Sequence, residues 1–531
     1  MIDTWLLPLI LFAPVFGAVA LLFVSNQQRF LVQMIAAGSS FISFILSFYL
    51  LYAYDHTIGG YQFVQRFEWS ENLGIAFSLG VDGIAVPLVL ASSILLFTGT
   101  FISWHIKDRL KEFYISLLIL AAATIGVYVS LDLFFLYFFY ELSVLPMYLL
   151  LGMWGSHTKS YNEMKDTKKR DFVGFILNFT SNSKEYAAMK LVLFLSAGAV
   201  VALLGILLIY VGSGLNTFDI PTLAKHSEFS GTMATIIWLL IFFGFASIAP
   251  LWPLHSWSPV GHAAAPAATS MLHAGVLMKL GHFSIIRVGY EILPEATRDL
   301  MPIAAVLCVF SIIYGGWVAY SQNDTKYVIG YSSSSHMGYV FLGMAALTYV
   351  SLTGAVLYMF AHAMATGLLF ALAGWVYDQT HTRDIPSLGG LSKKMPFATG
   401  CFVVAVAASF GLPGTVSFIG ELMILLGSWN KYPVQTIIAV LAIVVTLAYL
   451  LRMLRGVFFW EPGKTIPHET ELKWAHVQDT NGFVNRMPLL VMIACTIYFG
   501  IFPGQFIDVI GSSVEPLLAK IHGGTESGVL P

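Results

Sequence analysis

Apolar residues along this chain occur in long uninterrupted runs, and polar residues are concentrated in the short segments between them. Runs of about twenty residues recur along the whole length, each long enough to cross the ~30 Å hydrocarbon core of a bilayer as an α-helix. The pattern predicts an all-α polytopic membrane protein with about fourteen transmembrane helices. They are expected near residues 5–24, 30–54, 84–104, 113–131, 133–153, 188–212, 232–258, 264–290, 301–321, 326–348, 353–377, 396–429, 433–456 and 486–510.

Residues 55–83 depart from this pattern because they are polar and aromatic. Gly59 and Gly60 precede a stretch, Tyr61 to Arg66, in which polar and apolar side chains alternate. Alternation with a period of two is typical of a β-strand. We therefore predict a small hairpin that lies outside the bilayer.

Composition supports a membrane protein without a redox centre of its own. Hydrophobic residues make up 57% of the chain and charged residues 11%, whereas about a quarter of an ordinary soluble domain is charged. The net charge of −2 gives no indication of nucleic-acid binding. The three cysteines are far apart, and the chain has no CxxC, no Cys/His cluster and no GxGxxG opening a βαβ unit. We therefore expect no metal and no cofactor in this chain.

Charge distribution predicts the orientation of the helices. The first helix is expected to remain, because Met1 to Trp5 lack the basic region and cleavage site of a removable signal. Basic residues cluster in loops after odd-numbered helices, so by the positive-inside rule both termini face away from the cytoplasm. The basic residues in the loops expected to be cytoplasmic are Lys107, Arg109, Lys111, Lys159, Lys165, Lys168, Lys169, Arg170, Lys184, Arg383, Lys393 and Lys394.

Two predicted helices contain breaks. Pro250 and Pro253 interrupt the first, which we expect to continue through His255 and His262, and Pro413 with Gly414 interrupts the second about five spans later. An odd offset means that the second copy crosses in the opposite sense, and paired breaks in two inverted halves are typical of ion transporters. The alternative is that proline and glycine are simply common in membrane helices.

Ionisable residues inside the apolar runs are the candidate functional groups, because an unpaired charge in hydrocarbon is costly. The carboxyl groups of Glu141 and Glu421 must therefore be either neutral or paired with a cation, and carboxyls in this situation are what a proton relay needs. The alternative is a carboxyl that only ties two helices together. Lys279 lies deep in its run, whereas Lys190 begins one and is also placed to reach the membrane surface.

Histidines are concentrated around the first break and recur in later helices. Imidazole titrates near neutral pH and passes protons between its two nitrogens, so together they form a candidate conduction path. Each alone has the alternative of a hydrogen-bonded structural residue, and a zinc site lacks ligand spacing. His282, one turn after Lys279, is expected to share a proton or a water with it. The candidates are His255, His262, His273, His282, His336 and His362.

These residues lie in motifs that resemble the antiporter-like membrane subunits of complex I. The stretch His-Thr-Arg-Asp-Ile at 381–385 points to the M-type subunit in particular. The other matching segments are Tyr140-Glu-Leu-Ser-Val-Leu-Pro-Met147, Ala188-Met-Lys190, Pro253-Leu-His-Ser-Trp257, Ala265-Pro266, Ala274-Gly-Val-Leu-Met-Lys279, Lys326-Tyr-Val-Ile-Gly-Tyr-Ser-Ser333, Ser335-His-Met-Gly338, Leu412-Pro-Gly414 and Gly420-Glu421.

The resemblance implies fourteen helices in two inverted five-helix repeats, with discontinuous helices seven and twelve. The implied divisions are 1–110 for helices one to three with the hairpin, 111–290 for the first repeat, 291–460 for the second, and 461–531 for helix fourteen and the tail. It also implies proton translocation coupled to quinone reduction in partner subunits of the membrane and peripheral arms. Flavin, iron–sulfur clusters and quinone would belong to those partners, and the location would be a bacterial inner (plasma) membrane.

Carried over position by position, Glu141 matches the family's helix-five glutamate and Lys190 its lysine at the start of helix six. Lys279 matches the lysine of helix eight, and Glu421 the acidic residue of helix twelve. His336 and His362 match the histidines in the second half of the family's sequences.

The chain departs from the family around the first break. Ile248 occupies the place of a helix-seven lysine, Val260 that of an aspartate and Ala264 that of a glutamate, while His273 and His282 stand where apolar or glycine residues are usual. Our hypothesis is that another basic group takes over the lost lysine's function. The alternative is an impaired first half-channel. The candidates for the substitute are His273, Lys190 and His255.

Other assignments stay open at this point. A subunit of a multi-component cation/proton antiporter shares Glu141, Lys279 and the broken helices. A hydrogenase-type membrane complex and a non-transporting scaffold are further alternatives. The loop 158–187 is longer than usual, and we expect it on the cytoplasmic surface, either touching a peripheral subunit or as a solvated basic loop.

Overall fold

The computed structural model describes residues 2–156, 184–459 and 474–523, so most of the loop predicted at 158–187 lies outside it. The helices are α1 Ile2–Leu22, α2 Arg29–Ala53, α3 Ala85–Ile102, α4 Leu110–Val129, α5 Leu133–Trp154, α6 Lys184–Ser213, α7 Ile220–His226, α8 Gly231–Ile248, α9 Trp257–Ala264, α10 Ala267–Leu272, α11 Met278–Ser284, α12 Pro294–Ser321, α13 Thr325–Ala346, α14 Tyr349–Thr380, α15 Pro396–Ser409, α16 Val416–Trp429, α17 Pro433–Leu454, α18 Gly482–Ile501 and α19 Gly504–Ile521.

Eleven helices in the described residues are long and apolar enough to cross a membrane. Three further segments add to them: the pair α15 and α16, the polar-centred helix α13, and a continuous rod from Ala267 to Tyr290. In this rod α10 and α11 are joined and followed by π-helical turns, His273–Leu277 and Ile285–Tyr290. The prediction of an all-α polytopic membrane protein is confirmed.

The predicted hairpin is present between α2 and α3. Strands β1, Gln62–Ser70, and β2, Ile75–Val81, pair antiparallel with Phe67 opposite Phe77. Asp132 attaches the hairpin to α5, because its carboxylate accepts hydrogen bonds from Ala76 N at 3.1 Å and from the first turn of α5. This N-cap satisfies backbone donors that the helix itself leaves free.

Both predicted breaks occur in the structure. The first lies between Ile248 and Trp257 and contains Pro250, Pro253 and His255, so His255 lies in the interruption and not on the helix as expected. The second lies between α15 and α16 and contains Pro413 and Gly414. Proline lacks the N–H that continues a helix.

The predicted C-terminal span 486–510 divides into two helices. Helix α18 ends at Ile501 and α19 begins at Gly504, directly after Pro503. One face of α19 is buried against the ends of other helices, and this face includes Phe506, Val509 and Val514. The prediction failed here because the apolar run passes through Pro503 without a polar gap.

A buried ion-pair cluster ties the base of the hairpin to the end of the rod. Arg287, which is 1% exposed, bonds Asp82 Oδ1 at 2.8 Å and Glu291 Oε1 at 2.5 Å. Tyr61 completes the cluster by donating its hydroxyl to Glu291 Oε2 at 2.6 Å. Four polar side chains thereby partner one another, as burial requires, and only Arg287 Nε is left without a partner among the described residues.

We expect Arg287→Met to lower the free energy of unfolding by about 3–5 kcal/mol, because it leaves two buried carboxylates without their cation. Thermal unfolding of the detergent-solubilised protein measures the change. The control is Arg298→Met, which removes an exposed arginine paired with Asp299. Equal unfolding temperatures for the two variants would contradict the prediction.

Candidate functional site

Lys279 on α11 is fully buried, and its ammonium group is held by two partners. Nζ donates to Ala274 O and lies 2.7 Å from His362 Nδ1. Ala274 belongs to the π-helical turn that precedes α11, and such a turn changes the backbone hydrogen bonding of the helix. The Ala274 carbonyl is therefore available to the lysine.

The contact with His362 joins the rod to helices α13 and α14. The ring of His336, on α13, meets that of His362, on α14, edge-on with centroids 5.5 Å apart. His362 Nε2 has no hydrogen-bond partner among the described residues. Three proton-binding groups thus stand in a row inside the protein.

Two tyrosines continue this row towards Glu421. The rings of Tyr358 and Tyr339 lie 6.1 and 6.4 Å from that of His336, and both tyrosines are close enough to Glu421 for electrostatic interaction. Glu421 is 8% exposed and packs against the second break. A Cβ on Gly411 would lie 2.5 Å from Glu421 Oε2.

His262 and His273 form a second group on the other side of Lys279. Their rings stack with centroids 3.9 Å apart, and Trp257 covers His273 at 5.1 Å. His262 Nε2 lies 3.3 Å from the sulfur of Met278, the residue before Lys279. Neither nitrogen of His273 has a hydrogen-bond partner among the described residues, so both remain available to water or a proton.

His282 does not contact Lys279 in the way expected from its spacing. Its Nδ1 lies 3.2 Å from the Met278 carbonyl, and its ring packs against Phe341 at 4.4 Å. Instead, Lys279 contacts His362, which lies on α14, 83 positions further along the chain.

Glu141, Lys190 and His255 stand apart from this cluster. Glu141 is half-buried and accepts a hydrogen bond from Tyr137, its neighbour on α5, at 3.5 Å. Lys190 lies about 6 Å from two aromatic rings of its own helix and interacts electrostatically with His255. No ion pair within 4.0 Å joins Glu141 to a cation in the described part of the chain.

A family model described as NADH:quinone oxidoreductase/Mrp antiporter, transmembrane, matches residues 172–446. The chain belongs to this family. The resemblance of the sequence motifs to antiporter-like subunits is thereby confirmed.

Members of the family match along almost the whole chain. NADH-quinone oxidoreductase subunit M of Rickettsia conorii is 32% identical over 98% of this chain and 100% of that protein. Subunit M of Rhodobacter capsulatus is 32% identical over 97% of each chain. A chain of respiratory complex I from Thermus thermophilus superposes with a TM-score of 0.82 at 25% identity, over 97% of this chain and 99% of that one.

A chain of the Mrp complex from Dietzia has the same fold. It superposes with a TM-score of 0.77 at 18% identity, over 99% of this chain and 98% of that one. In the described residues of the present chain, no three His, Cys, Asp or Glu side chains are grouped so that they could hold a metal ion.

Ile248, where the resemblance implies a helix-seven lysine, makes an apolar contact. It is fully buried, and a Cβ on Gly281 would lie 2.6 Å from Ile248 Cγ2 and 2.3 Å from Phe245 O. Helix α8 therefore packs closely against the rod, two residues after Lys279.

Sequence reasoning missed three groups that the structure places beside the cluster. Tyr339 and Tyr358 gave no signal, because tyrosines in apolar helices are usually packing residues. Lys326 is 3% exposed and donates to Ala265 O at 2.7 Å. Its place near a helix start resembles that of a lysine reaching for the membrane surface.

Gly411→Ala should displace the Glu421 carboxyl, because the new methyl group occupies its place. The control is Gly414→Ala, since Gly414 also has a positive φ, +96° against +76° for Gly411, but no atom within 4 Å of the Cβ position. Left-handed backbone costs roughly 1–2 kcal/mol in both. Infrared difference spectra, with Glu421→Gln to assign the carboxyl band, should show a shift only in Gly411→Ala. Equal spectra would contradict the contact.

Proposed function

We propose that this chain is the M-type, proton-translocating membrane-arm subunit of a complex I-type NADH (or ferredoxin):quinone oxidoreductase. The observation that carries the proposal is the buried Lys279–His362 contact, which extends through His336 and two tyrosines to Glu421. The names of the relatives that match the whole chain support it. The chain performs no bond chemistry, and the translocase activity belongs to the assembly.

The lysine–histidine pair is suited to passing a proton because two adjacent cations repel. At the 2.7 Å separation, two full charges repel by about 6 kcal/mol at an effective dielectric constant of 20. The pair therefore holds one excess proton at a time. A second proton arriving on one side favours release on the other.

The tyrosines and Glu421 supply the continuation of the proton path. A tyrosine hydroxyl both donates and accepts a hydrogen bond, so Tyr358 is suited to bridge His336 to the carboxylate, with water filling the gaps. The hydroxyl of Tyr339 donates to Ala439 O at 2.7 Å and is left as an acceptor. Glu421 is then the exit-side group. Glu141 and Lys190 form the end of the path that faces the neighbouring membrane subunit, whose charge would change the proton affinity of Glu141.

The substitute for the lost helix-seven lysine is His273. Its two unbonded nitrogens and its stack on His262 place a proton carrier in the rod, whereas Ile248 has only an apolar side chain. His255 and Lys190 are further along the same side, and His282 is a secondary carrier near Met278.

The proposed orientation puts both termini outside and the basic loops in the bacterial cytoplasm. The loops expected on that side contact one another: Arg383 bonds Ser156 Oγ at 3.2 Å, and His105 bonds Asp378 at 3.1 Å. In this orientation residues 111–290 and 291–460 form the two inverted repeats, between 1–110 and 461–531. Flavin, iron–sulfur clusters and quinone belong to partner subunits.

A cation/proton antiporter subunit is the second candidate, favoured by the fold shared with the Mrp chain. Purification of the complex separates the two. Flavin- and iron–sulfur-bearing partners support complex I, and exclusively membrane-embedded partners support the antiporter.

Lys279→Met is expected to abolish most proton pumping by the reconstituted complex, because methionine fills the space but holds no proton. Assembly and electron transfer to quinone should persist. The control is Lys431→Met, which removes an exposed lysine. Proton uptake into vesicles, measured with electron transfer, decides the matter, and normal pumping by Lys279→Met would refute the proposal.

His273→Ala and His273→Phe should both lower the number of protons pumped per electron, with assembly intact. Phenylalanine keeps the aromatic stack with His262 and Trp257 but removes the ring nitrogens. If His273→Phe pumps normally while His273→Ala does not, the histidine has only a packing role.

A further inference from the structure

A cavity of about 140 Å³ opens at the molecular face that carries the predicted cytoplasmic loops. It lies where α3, α5 and α14 end, α13 begins and α9 gives way to α10. Its volume holds several water molecules, each of which occupies about 30 Å³ in the liquid. The polar side chains in its wall include Ser103, His105, Ser156, Lys326 and Asp378, together with the partly polar Trp154 and Tyr377.

The mouth of the cavity holds a histidine–carboxylate pair. His105 Nε2 lies 3.1 Å from Asp378 Oδ2, with the two side chains 48% and 34% exposed. Both groups are therefore in contact with water at this face, and His381 also lies close enough to interact electrostatically with Asp378. Histidine and carboxylate side chains that touch water are groups able to exchange protons with it.

The inner wall of the cavity holds a buried lysine. Lys326 Nζ donates to Ala265 O at 2.7 Å, which uses one of its three donors. The other two have no protein partner in the described residues. Asp324, which caps the same helix, is paired with Arg383 at 3.1 Å. Lys326 interacts electrostatically with both Asp378 and Asp324, and of these two Asp378 is the one in the cavity wall.

The cavity leads towards the Lys279 cluster. Ser270 Oγ reaches both Ala265 O, at 3.3 Å, and His262 O, at 3.0 Å. His262 interacts electrostatically with both Lys326 and Lys279. A hydrated surface, a buried lysine and the histidine stack therefore follow one another in space.

We propose that this cavity is the proton-uptake site of the subunit. His105 and Asp378 collect protons from the cytoplasmic water, and Lys326 is the first buried carrier, which passes them to His262 and Lys279. Each transfer moves one proton from an ammonium or imidazolium group to the next neutral base, so charge and atoms balance. The inference rests on the proposed function, since uptake has meaning only if the chain conducts protons.

Two substitutions at Lys326 separate a carrier from a structural hydrogen-bond donor. Arginine keeps the donor to Ala265 O and the charge but does not release its proton, and methionine removes both. In the reconstituted complex, Lys326→Arg and Lys326→Met should lower protons pumped per electron to the same extent, with electron transfer intact. Lys107→Met, at an exposed site on the same face, should change nothing. Full pumping by Lys326→Arg would overturn the proposal.

A test at the cavity mouth does not depend on replacing the buried lysine. Asp378→Asn should lower the pumping rate, most at alkaline pH where protons are scarce, and a high concentration of imidazole buffer on that face should restore it. A loss that buffer does not restore would indicate a structural role and overturn the proposal.

Labelling of Ser156→Cys tests the water access and the side. The three natural cysteines are buried, so a membrane-impermeant thiol reagent should label the new cysteine from the cytoplasmic side only. Absence of labelling, or labelling from the other side, would overturn the uptake site. The Lys279→Met variant keeps the two proposals distinct. If pumping falls in Lys279→Met but not in the Lys326 and Asp378 variants, the proposed function stands and only the uptake site is refuted.

Discussion

The cost of placing a charge in hydrocarbon governs this structure. A buried cation must find oxygen atoms within the protein, and in an α-helix nearly every carbonyl is already used by the helix. The carbonyls that remain are those at helix C-termini and at irregular turns. Lys279 uses Ala274 in a π-helical turn, whereas Lys326 uses Ala265 and Arg383 uses Ala263, both at the end of α9. The interruptions in the helices are thus the places where cations are held.

The same rule operates at the surfaces of the bundle. Basic side chains there donate to the last carbonyls of neighbouring helices, where the helix dipole is negative. The resulting bonds fix helix ends to one another across the chain. Examples are Lys184 to Met153 O, Lys111 to Leu22 O, Lys520 to Ala224 O and Arg452 to Tyr320 O. Few charges are available, and several of those described connect two elements in this way.

The sequence was informative wherever one segment determines its own structure. Long apolar runs predicted the spans, the alternation after Gly60 predicted the hairpin, and the prolines around residue 250 predicted the first break. Contacts between distant segments were not predictable. His362 became the partner of Lys279 only because α14 packs on the rod, and spacing favoured His282 instead. Likewise, nothing before folding distinguishes Tyr339 and Tyr358 from packing residues.

The π-helical turn His273–Leu277 also makes chain length in this region as important as residue type. Each residue of an α-helix turns the chain by about 100°, so a single-residue deletion in the turn would rotate Lys279 away from His362 without altering either side chain. Homologous subunits in which every ionisable residue is retained but this stretch is one residue shorter would therefore have a differently connected interior. Alignments of the family are best compared for gaps at this point as well as for substitutions.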